Sequence, residues 1–357
     1  MPVRVLVHAG DVWFLFLFSF SLSSFSSFET LNLVFFPLLY TLFWSRCIFF
    51  ASNLPHWPWE TGNRNVYNPS TFTISPLHVD TPEFRKSLQR YYAEVSALDA
   101  QVGAVHQLLQ QQDMEQNTLM IFTSEQGAAL PACKWSTWEC GINVAFIARW
   151  PGVIEPGSVS NAMIHYVDVV PTLIEISGGD PETISALEGS SFAKVLTGEV
   201  DTHNQFIYAL QSDKNEFGGY NIRAIREGDW KYIWNLNNAK WYINRVTQPG
   251  PEQASFLSWE DAAARNPGGQ ASRLVRRFRC RPPEELYNLA SDPYELENLA
   301  RDPTQSQAAI ILRLKTELRR WMATQGDPVE EIVAGNTRNG HCMKLKEYVV
   351  KTDWGAY

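Results

Sequence analysis

The sequence has few cysteines and no acceptor site for N-linked glycans. Five cysteines occur among 357 residues, and their irregular spacing indicates neither a disulfide framework nor a zinc site. Their odd number leaves at least one thiol free if the others pair. No Asn-x-Ser/Thr sequon is present, since the nearest approach at Asn68 is blocked by Pro69. The cysteines are Cys47, Cys133, Cys140, Cys280 and Cys342.

Basic residues are too few for a general nucleic-acid-binding protein. The chain has 30 Lys and Arg against 38 Asp and Glu, a formal net charge of −8, which argues against nucleic acid as a partner. The basic cluster at residues 273–281 is interpreted as a solvated helix or loop face. No internal repeats are found, and the length suits one large domain or a domain with a subdomain.

The sequence also lacks the clean run of about 20 apolar residues that a transmembrane helix needs. Residues 12–28 and 31–44 form two aromatic-rich apolar runs, the second broken by Pro37. Three interpretations stay open for residues 1–47: a secretory signal or anchor, a transmembrane hairpin within residues 12–44, or mis-joined sequence such as translated intron. The third is favoured, because a different pattern starts abruptly near residue 48. The first two predict a secretory, extracellular or membrane-associated protein.

The residues that follow predict an α/β body. Thr81-Pro82 is a typical helix start, with Thr as N-cap and Pro in the first turn, and apolar residues then recur at helical spacing as far as Leu109. Asp99 on this helix is interpreted as an anchor for neighbouring backbone. The short apolar runs at 118–123 and 144–150 are typical of a buried parallel sheet.

Two later helices are predicted from their end signals. Asp168 is expected to cap a helix that contains Pro171 and ends at a glycine pair. Asp302-Pro303 is expected to start a final helix. The apolar stripe of that final helix consists of Ile311, Leu314, Leu318 and Trp321.

Residues beyond about 200 have a different character. Residues 221–226 and 230–236 are predicted strands joined by a Glu227-Gly228-Asp229 hairpin turn. Residues 249–270 carry Pro, Gly and Ala and are predicted to be a loop-rich insert. An antiparallel sheet with one helix packed on it is therefore expected as a small carboxy-terminal subdomain.

The most informative residues for function follow the apolar run 119–122. The turn Thr123-Ser124-Glu125-Gln126-Gly127 places a carboxylate beside a carboxamide, both hard oxygen ligands for a divalent cation. Lys134 follows in a short loop and offers a compact positive charge for an anion. Together with Arg149-Trp150-Pro151-Gly152 downstream, this stretch resembles the second metal-binding segment of sulfatases. Glu125 and Gln126 stand where that family has Asp and His or Asn.

Three further segments carry the same resemblance in the same order. Residues 52–59 are similar to the sulfatase segment whose histidine contacts the sulfate ester, which makes His56 the matching residue. Residues 166–173 are similar to a helix start of the family. Residues 285–289 and 292–299 match its closing signature. The resemblance covers about residues 48–327 and divides the chain into 1–47, a partial catalytic domain at 48–200, a subdomain at 201–327 and a tail at 328–357.

The resemblance implies a fold, a cofactor and a reaction. The fold is an alkaline-phosphatase-like mixed or parallel sheet between helices, incomplete at its amino terminus, with the small antiparallel α+β subdomain. Glu125 and Gln126 would bind Ca²⁺, while Lys134 and His56 would be catalytic and substrate-binding residues that contact the sulfate. The implied reaction is hydrolysis of a sulfate ester carried by a small molecule or a glycan.

Two parts of the sulfatase pattern are absent from the sequence. The family's formylglycine nucleophile arises from a Cys/Ser-x-Pro-x-Arg signature. The most similar segment here is Cys280-Arg281-Pro282-Pro283, and it is followed by Glu284 where the signature has its arginine. The first pair of metal-binding aspartates is also missing, so a truncated or inactive form is expected. Residues 208–212 contain no histidine, and His203 is not assigned a role. Gln211 or Lys214 is expected to line the substrate entrance.

Two other functions stay open. A membrane-anchored, non-catalytic protein would use the same half-domain to bind sulfated glycans. A phosphoester hydrolase of the same superfamily would share the metal ligands, although the Lys134-Trp135 loop and the Asp292-Pro293-Tyr294-Glu295 ending favour sulfate.

Overall fold

The computed structural model describes residues 13–19, 34–36, 46–212, 219–247 and 254–327. Lys214, Cys342 and the predicted tail at 328–357 lie outside these residues, as does most of the apolar stretch 12–44. The chain forms two compact units. The first comprises residues 1–66, 90–126 and 144–203, and the second comprises 67–89, 127–143 and 204–357.

The first unit contains a five-stranded sheet in the order β2-β3-β1-β4-β5. Strand β1 pairs antiparallel with both β3 and β4, so β3 and β4 run in the same direction. Strand β4 pairs antiparallel with β5. The strands are β1 (Trp13–Ser19), β2 (Val34–Phe36), β3 (Arg46–Ser52), β4 (Thr118–Ser124) and β5 (Phe146–Arg149).

The predicted α/β class is confirmed, but the parallel pairing expected for residues 118–123 and 144–150 is wrong. A continuous apolar run indicates that both faces of a strand are buried. It does not indicate whether the neighbouring strand is parallel or antiparallel. The connection between β4 and β5 carries only the one-turn helix α2 (Glu139–Ile142). The crossover between parallel strands is usually a full helix that packs on the sheet, and this connection contains no such helix.

Both faces of this sheet are covered by apolar side chains. Leu119 and Ile121 of β4 pack with Val169 and Leu173 of helix α3 and with Phe192. Met120 and Phe122, which alternate with them, pack on the other face against Leu109, Val102 and Val105 of helix α1. The first unit is therefore a helix–sheet–helix sandwich. Its helices are α1 (Pro82–Gln111, from residue 90 onward), α3 (Val169–Ile176) and α4 (Ala193–Leu196).

The predicted start of α1 is confirmed. Thr81 Oγ1 accepts a hydrogen bond from the backbone N–H of Phe84 at 3.1 Å, and Pro82 is the first helical residue. The anchoring acid on α1 is Glu94 and not Asp99. Glu94 is fully buried and its Oε1 accepts from the backbone N–H of Thr61, whereas Asp99 is exposed. An aspartate one position off the apolar face of a helix points to solvent.

Asp168 holds loops instead of capping α3. It ends a 3-10 turn, Tyr166–Asp168, and makes no side-chain cap bond to the following helix. Its two carboxylate oxygens accept from the backbone N–H groups of His165 at 2.8 Å and Ser190 at 3.0 Å. His203 Nε2 lies 3.4 Å from the same carboxylate. Asp168 does occupy the N-cap position of α3, but its backbone is already helical there (φ −81°, ψ −16°), and the predicted cap bond from its side chain is not formed.

The second unit contains a four-stranded antiparallel sheet in the order β6-β7-β8-β9. Gly228 and Asp229 form the two-residue turn between β7 and β8, with Gly228 at φ +54°, as such hairpins favour. The predicted hairpin is confirmed. The strands are β6 (Ile207–Gln211), β7 (Ile222–Glu227), β8 (Trp230–Asn235) and β9 (Glu284–Asn288).

Helix α7 (Gln305–Thr324) packs on this sheet, as predicted. Leu314, Leu318 and Met322 are fully buried against Ile225 and Tyr232 of the sheet. The helix starts two residues later than Asp302-Pro303 suggested. Its N-cap is Thr304, whose hydroxyl accepts from Gln307 N while the Gln307 side chain accepts from Thr304 N.

The predicted loop at 249–270 is wrong for the described residues. They form helix α5 (Ala254–Arg265), and helix α6 (Gln270–Arg279) follows after a short turn. Phe256, Trp259 and Ala263 are buried at helical spacing on α5. The alanine run 262–264, which lies between Asp261 and Arg265, weakens the apolar contrast that marks a helix in sequence, although alanine itself favours helix.

No helix in the described part of the chain combines the length and the apolar character that crossing a bilayer requires.

Candidate active site

The end of strand β4 is fixed by its neighbours in the first unit. Thr123 is buried, and its hydroxyl donates to the carbonyl oxygen of Ala145 at 2.9 Å and lies 3.0 Å from the Tyr166 hydroxyl. Tyr166 in turn donates to the carbonyl oxygen of Ser124. These bonds hold the last two residues of the strand, so the turn that follows starts from a defined position.

Glu125 and Gln126 lie side by side in that turn. Ser124 Oγ donates to the carbonyl oxygen of Gln126 at 2.8 Å, which closes the turn. The Gln126 amide nitrogen lies 3.5 Å from Glu125 Oε2, and both side chains are half-buried. Burial raises the pKa of the Tyr166 hydroxyl, the hydrogen bond with Thr123 opposes that rise, and the nearby Glu125 carboxylate adds to it.

This pair fits part of a site for a hard divalent cation. A carboxylate and a carboxamide supply oxygen atoms, which Ca²⁺ prefers, and Ca²⁺ takes about six to eight oxygens. Glu125 and Gln126 would therefore be two members of a larger ligand set.

His56 lies in an exposed loop of the first unit. The backbone N–H of His56 donates to the carbonyl oxygen of Asn53 at 2.7 Å. Trp59 anchors this loop. The residue is buried, and its indole N–H donates to the Pro55 carbonyl oxygen at 3.0 Å. Its ring packs edge-on against the ring of Tyr91, with ring centres 5.6 Å apart. The Trp59–Tyr91 contact holds the loop against α1, and His56 is an exposed residue of that loop.

Lys134 lies in the second unit, in a compact loop after Gly127. Its backbone N–H donates to the carbonyl oxygen of Ala128 at 3.0 Å. The side chain is only 6% exposed, and its ammonium lies 5.4 Å from the centre of the Trp135 ring. Such a cation–π contact stabilises a buried charge by up to about 2 kcal/mol. A compact buried positive charge beside an aromatic ring suits an anion-binding residue.

The loop that carries Lys134 is cross-linked and closely packed. Cys133 and Cys140 form a disulfide across seven residues, and Gly127 N–H donates to the Gly141 carbonyl at 2.9 Å. Gly127 and Gly141 leave no room for a side chain, as a Cβ on Gly127 would lie 1.8 Å from the Cys140 carbonyl oxygen. Cys280 is also disulfide-bonded, while Cys47 is a free thiol. The expectation of no disulfide framework is thus wrong for these three cysteines.

Trp138 ends the Lys134 loop in a buried polar cluster of the second unit. Its indole N–H donates to Glu285 Oε2 at 3.0 Å. The guanidinium groups of Arg277 and Arg281 each lie 4.0 Å from the centre of the Trp138 ring. Arg281 also pairs with Glu285 at 2.7 Å, with both side chains buried.

The buried arginines overturn one prediction made from the sequence. The basic stretch 273–281 is not a solvated face at Arg279 and Arg281, which are 7% and 2% exposed. Arg279 pairs with Glu260 at 2.8 Å, and Arg281 pairs with Glu285. Glu260 and Glu285 both lie outside the basic stretch, so a charge count over residues 273–281 does not include the acids that pair with these arginines.

A second ion cluster holds the residue that follows Trp138. Lys231 is fully buried, and its ammonium lies 2.9 Å from both Glu139 and Glu295. Arg226 pairs with Glu139 at 2.8 Å. Sequence reasoning missed these roles, although Glu285 and Glu295 belong to the predicted closing signature. That signature therefore supports the Lys134 loop through buried carboxylates.

The predicted site residues divide between the units. Glu125 and Gln126 contact each other in the first unit, which also holds His56. Lys134 belongs to the second unit. The sequence analysis did not identify Tyr166 as a residue that supports the end of β4. Its position two residues before Asp168 was the only indication in the sequence. His203 proves to be a packing partner of Asp168 and Phe192.

Family models match this part of the chain in two overlapping stretches. Residues 45–179 match the model described as Sulfatase. Residues 134–254 match the model described as N-sulphoglucosamine sulphohydrolase, C-terminal. The first match includes the Glu125-Gln126 turn, and both include Lys134.

Curated relatives are sulfatases. An ulvan-active sulfatase of Formosa agariphila is 30% identical over 81% of this chain and 54% of its own length. The human N-sulphoglucosamine sulphohydrolase is 26% identical over 74% of this chain and 53% of its own length. The chain thus spans about half the length of the curated relatives it matches.

Solved structures agree in fold. A Bacteroides thetaiotaomicron protein, described in work on the metabolism of multiple glycosaminoglycans, has a TM-score of 0.54 at 19% identity and covers 80% of this chain and 55% of that chain. A 2-O GAG sulfatase has a TM-score of 0.53 at 18% identity, covering 72% of this chain and 47% of that chain. The class is therefore a mixed α/β protein of sulfatase fold. The chain belongs to the sulfatase family.

Proposed function

We propose that the protein acts in hydrolysis of sulfate esters, and that this chain supplies part of the metal- and sulfate-binding machinery. The observation that carries the proposal is the Glu125-Gln126 pair, held at the end of β4 in the stretch that matches the Sulfatase model. The buried, ring-contacted Lys134 that follows supports an anionic substrate.

Each residue has a distinct proposed role. Glu125 and Gln126 hold Ca²⁺, which when bound supplies positive charge to the sulfate oxygens. Lys134 binds a sulfate oxygen and offsets its charge in the transition state. His56 donates a hydrogen bond to the sulfate or to the leaving-group oxygen, a role that an exposed imidazole can fill.

The family's formylglycine nucleophile has no counterpart in the sequence. No Cys/Ser-x-Pro-x-Arg signature occurs in the sequence, so we propose that the 357-residue chain alone does not hydrolyse sulfate esters. The purified chain is incubated with an aryl sulfate, and no product above the buffer blank is expected. Multiple turnovers that depend on added Ca²⁺ would contradict this part of the proposal.

A sulfated glycan is the proposed substrate class. Two relatives carry names that refer to sulfated saccharides, an ulvan-active sulfatase and an N-sulphoglucosamine sulphohydrolase. Binding of a panel of sulfated mono- and disaccharides is compared by calorimetry with binding of the same sugars lacking sulfate. Equal binding of both sets would exclude this substrate class.

The metal site is tested by thermal unfolding with and without calcium. Ca²⁺ is expected to raise the Tm of the unmutated chain, because binding to the folded state alone stabilises it. Glu125→Ala is expected to abolish that rise. Glu155→Ala, at an exposed acid of the same unit, is the matched control and keeps the rise. An unchanged Tm in the unmutated chain would refute the metal site.

The sulfate site is tested separately at Lys134. Lys134→Met keeps the aliphatic length and removes the charge, so binding of inorganic sulfate is expected to weaken about tenfold or more. Lys194→Met, at an exposed lysine, leaves sulfate binding unchanged. Equal weakening in both variants would show that binding is non-specific.

We also propose a secretory or extracellular location. The Cys133–Cys140 disulfide and the bonded Cys280 support an oxidising compartment. Cell fractionation with a high-salt wash tests the alternative of membrane association, since an anchored protein stays with the membranes. Recovery of the native protein in the reduced cytosol would overturn the location.

A further inference from the structure

One cluster of metal-ligating side chains is not used by the proposed function. His78, Cys133 and Cys140 bring one ligand atom each to within 4.8 Å of the others. His78 Nε2 lies 3.7 Å from Cys133 Sγ. All three residues belong to the second unit, and their positions in the sequence gave no metal-binding spacing.

His78 lies in an aromatic enclosure. Its side chain lies against Phe84, with ring centres 4.7 Å apart, and against Trp259 at 5.7 Å. Only 7% of the residue is exposed. An imidazole binds a metal ion through a ring nitrogen that carries no proton.

The imidazole now has a different partner. His78 Nε2 lies 3.1 Å from the carbonyl oxygen of Pro131, so Nε2 carries the proton and donates to that oxygen. The two sulfur atoms are joined to each other and have no thiolate charge to offer. In this oxidised form the cluster is closed to a metal ion.

Reduction would change the character of all three ligands. The Cα atoms of Cys133 and Cys140 lie 4.5 Å apart, and Gly141 with its close backbone contacts keeps the two ends of the loop together. Two thiolates facing one imidazole make a Cys₂His donor set, which Zn²⁺ binds with about tetrahedral geometry and a fourth position left for water. The geometry thus suits zinc better than calcium, which prefers oxygen.

From this arrangement we infer that His78, Cys133 and Cys140 form a redox-controlled zinc site. In the oxidising compartment proposed for the protein the disulfide form prevails, and the zinc form arises where a dithiol reductant is present. A thiolate of that reductant attacks Cys140, the less buried sulfur, and the Cys133–Cys140 bond breaks. The second thiol of the reductant resolves the mixed disulfide, and the reductant leaves as its own disulfide. Two electrons and two protons thus pass to the cysteines. Zn²⁺ then displaces both thiol protons, while the imidazole proton moves from Nε2 to Nδ1.

The switch keeps the Lys134 loop cross-linked in two different ways. Cys133 directly precedes Lys134, and Cys140 closes the same loop. The disulfide ties the loop to itself, whereas the zinc form also ties the loop to His78. The inference rests on the ligand geometry alone and stands whether or not Lys134 binds sulfate.

Cobalt binding to the full chain tests the site directly. The protein is reduced with tris(2-carboxyethyl)phosphine, which adds no thiol ligand, and is titrated with Co²⁺ as a spectroscopic stand-in for Zn²⁺. About one equivalent of Co²⁺ per chain is expected, with thiolate-to-cobalt charge-transfer absorption and bands of tetrahedral cobalt. Added Zn²⁺ should displace the cobalt, and the unreduced protein should show none of these bands.

Variants separate this site from the other cysteines. Cys133→Ser with Cys140→Ser is expected to lose the charge-transfer bands, and His78→Gln is expected to weaken cobalt binding at least about tenfold. Cys47→Ser and Cys280→Ser are the controls and keep the bands. Circular dichroism confirms that each variant is folded. If His78→Gln does not fold, the serine double variant alone decides the test.

Two results would overturn the inference. The reduced chain could bind no cobalt with thiolate character. Alternatively, the bands could survive in the Cys133→Ser, Cys140→Ser protein and vanish with Cys280→Ser, which would move the ligands elsewhere.

Discussion

At the residue scale, Glu285 is the acid on which the support of the Lys134 loop depends most. Its carboxylate accepts hydrogen bonds from Trp138 at 3.0 Å, Asn235 at 2.6 Å and Tyr287 at 2.6 Å, and it pairs with the guanidinium of Arg281. All of its oxygen lone pairs are directed at donors. Such full coordination is what allows an ionised carboxylate to be buried.

Removing that charge should destabilise the protein strongly. Glu285→Gln leaves Arg281 buried without its counter-charge, and we expect the free energy of unfolding to fall by about 3–5 kcal/mol. Urea denaturation followed by tryptophan fluorescence measures the loss. Glu83→Gln removes one partner of the exposed Lys86–Glu83 pair and should cost less than about 1 kcal/mol. Similar losses in the two variants would refute the role of the buried pair.

Two glycines with different surroundings should respond in opposite directions to alanine. Gly127→Ala is expected to destabilise by about 1–3 kcal/mol, because its Cβ would meet the Cys140 carbonyl oxygen at 1.8 Å. Gly103→Ala in α1, where a Cβ meets nothing within 4 Å, should stabilise by up to about 1 kcal/mol. Thermal unfolding of both variants checks the pair. A stabilised Gly127→Ala would contradict the packing of the turn.

At the element scale, α7 shows how strictly one helix face determines stability. Leu318 is fully buried in the core of the second unit, whereas Leu312 on the same helix is 69% exposed. The two residues are six positions apart, so their side chains point to different faces of the helix. The same substitution at both positions therefore compares burial at constant chemistry.

Leucine-to-alanine changes on α7 should differ by several kcal/mol. Leu318→Ala is expected to lower the free energy of unfolding by about 2–5 kcal/mol through lost contacts and a cavity. Leu312→Ala should change it by about 0.5 kcal/mol or less. Chemical denaturation measures both. Equal effects would show that α7 does not use this face against the sheet.

At the scale of the whole molecule, buried charge pairs make stability depend on pH. The Arg281 charge and the Tyr287 and Asn235 hydrogen bonds lower the pKa of Glu285 to about 2, against the opposing effect of burial. Its unperturbed value is 4.5. Because the folded pKa is the lower one, the stabilisation is complete above pH 4.5 and is lost as the pH falls through 2.

Acid unfolding should therefore separate the normal protein from Glu285→Gln. The difference in unfolding free energy between the two is expected to be constant from pH 7 to about pH 5 and to shrink steadily between about pH 4.5 and 2. Urea denaturation at a series of pH values measures this difference. A difference that grows on acidification would have the wrong sign and would refute the assigned cause.

Much of the element order could be predicted locally. The start of α1 follows from Thr81 and Pro82, the β7–β8 turn from Gly228, and the sheet-packed face of α7 from its apolar spacing. Each depends on residues a few positions apart, whose geometry is the same in nearly any fold. The Glu125-Gln126 contact is of the same kind, since adjacent residues in one turn are close in any case.

Other features could not be predicted because they join distant parts of the chain. The approach of His78 to Cys133 brings together residues 55 positions apart. Glu285 accepts from Trp138 across 147 positions. Helix α5 was not predicted from the sequence because its alanines give little apolar contrast. Only the structure shows that Phe256 and Trp259 are buried in a core.

The sequence by itself determined the family, the α/β class and the identity of the candidate ligands, because motifs and periodicities are local properties. Only the tertiary structure decided that β4 and β5 run antiparallel, that Glu94 and not Asp99 anchors α1, and that Arg279 and Arg281 are buried. Those outcomes depend on which surfaces meet. Burial changes the free energy of a charged group by several kcal/mol, so a residue's role is settled by its neighbours in space.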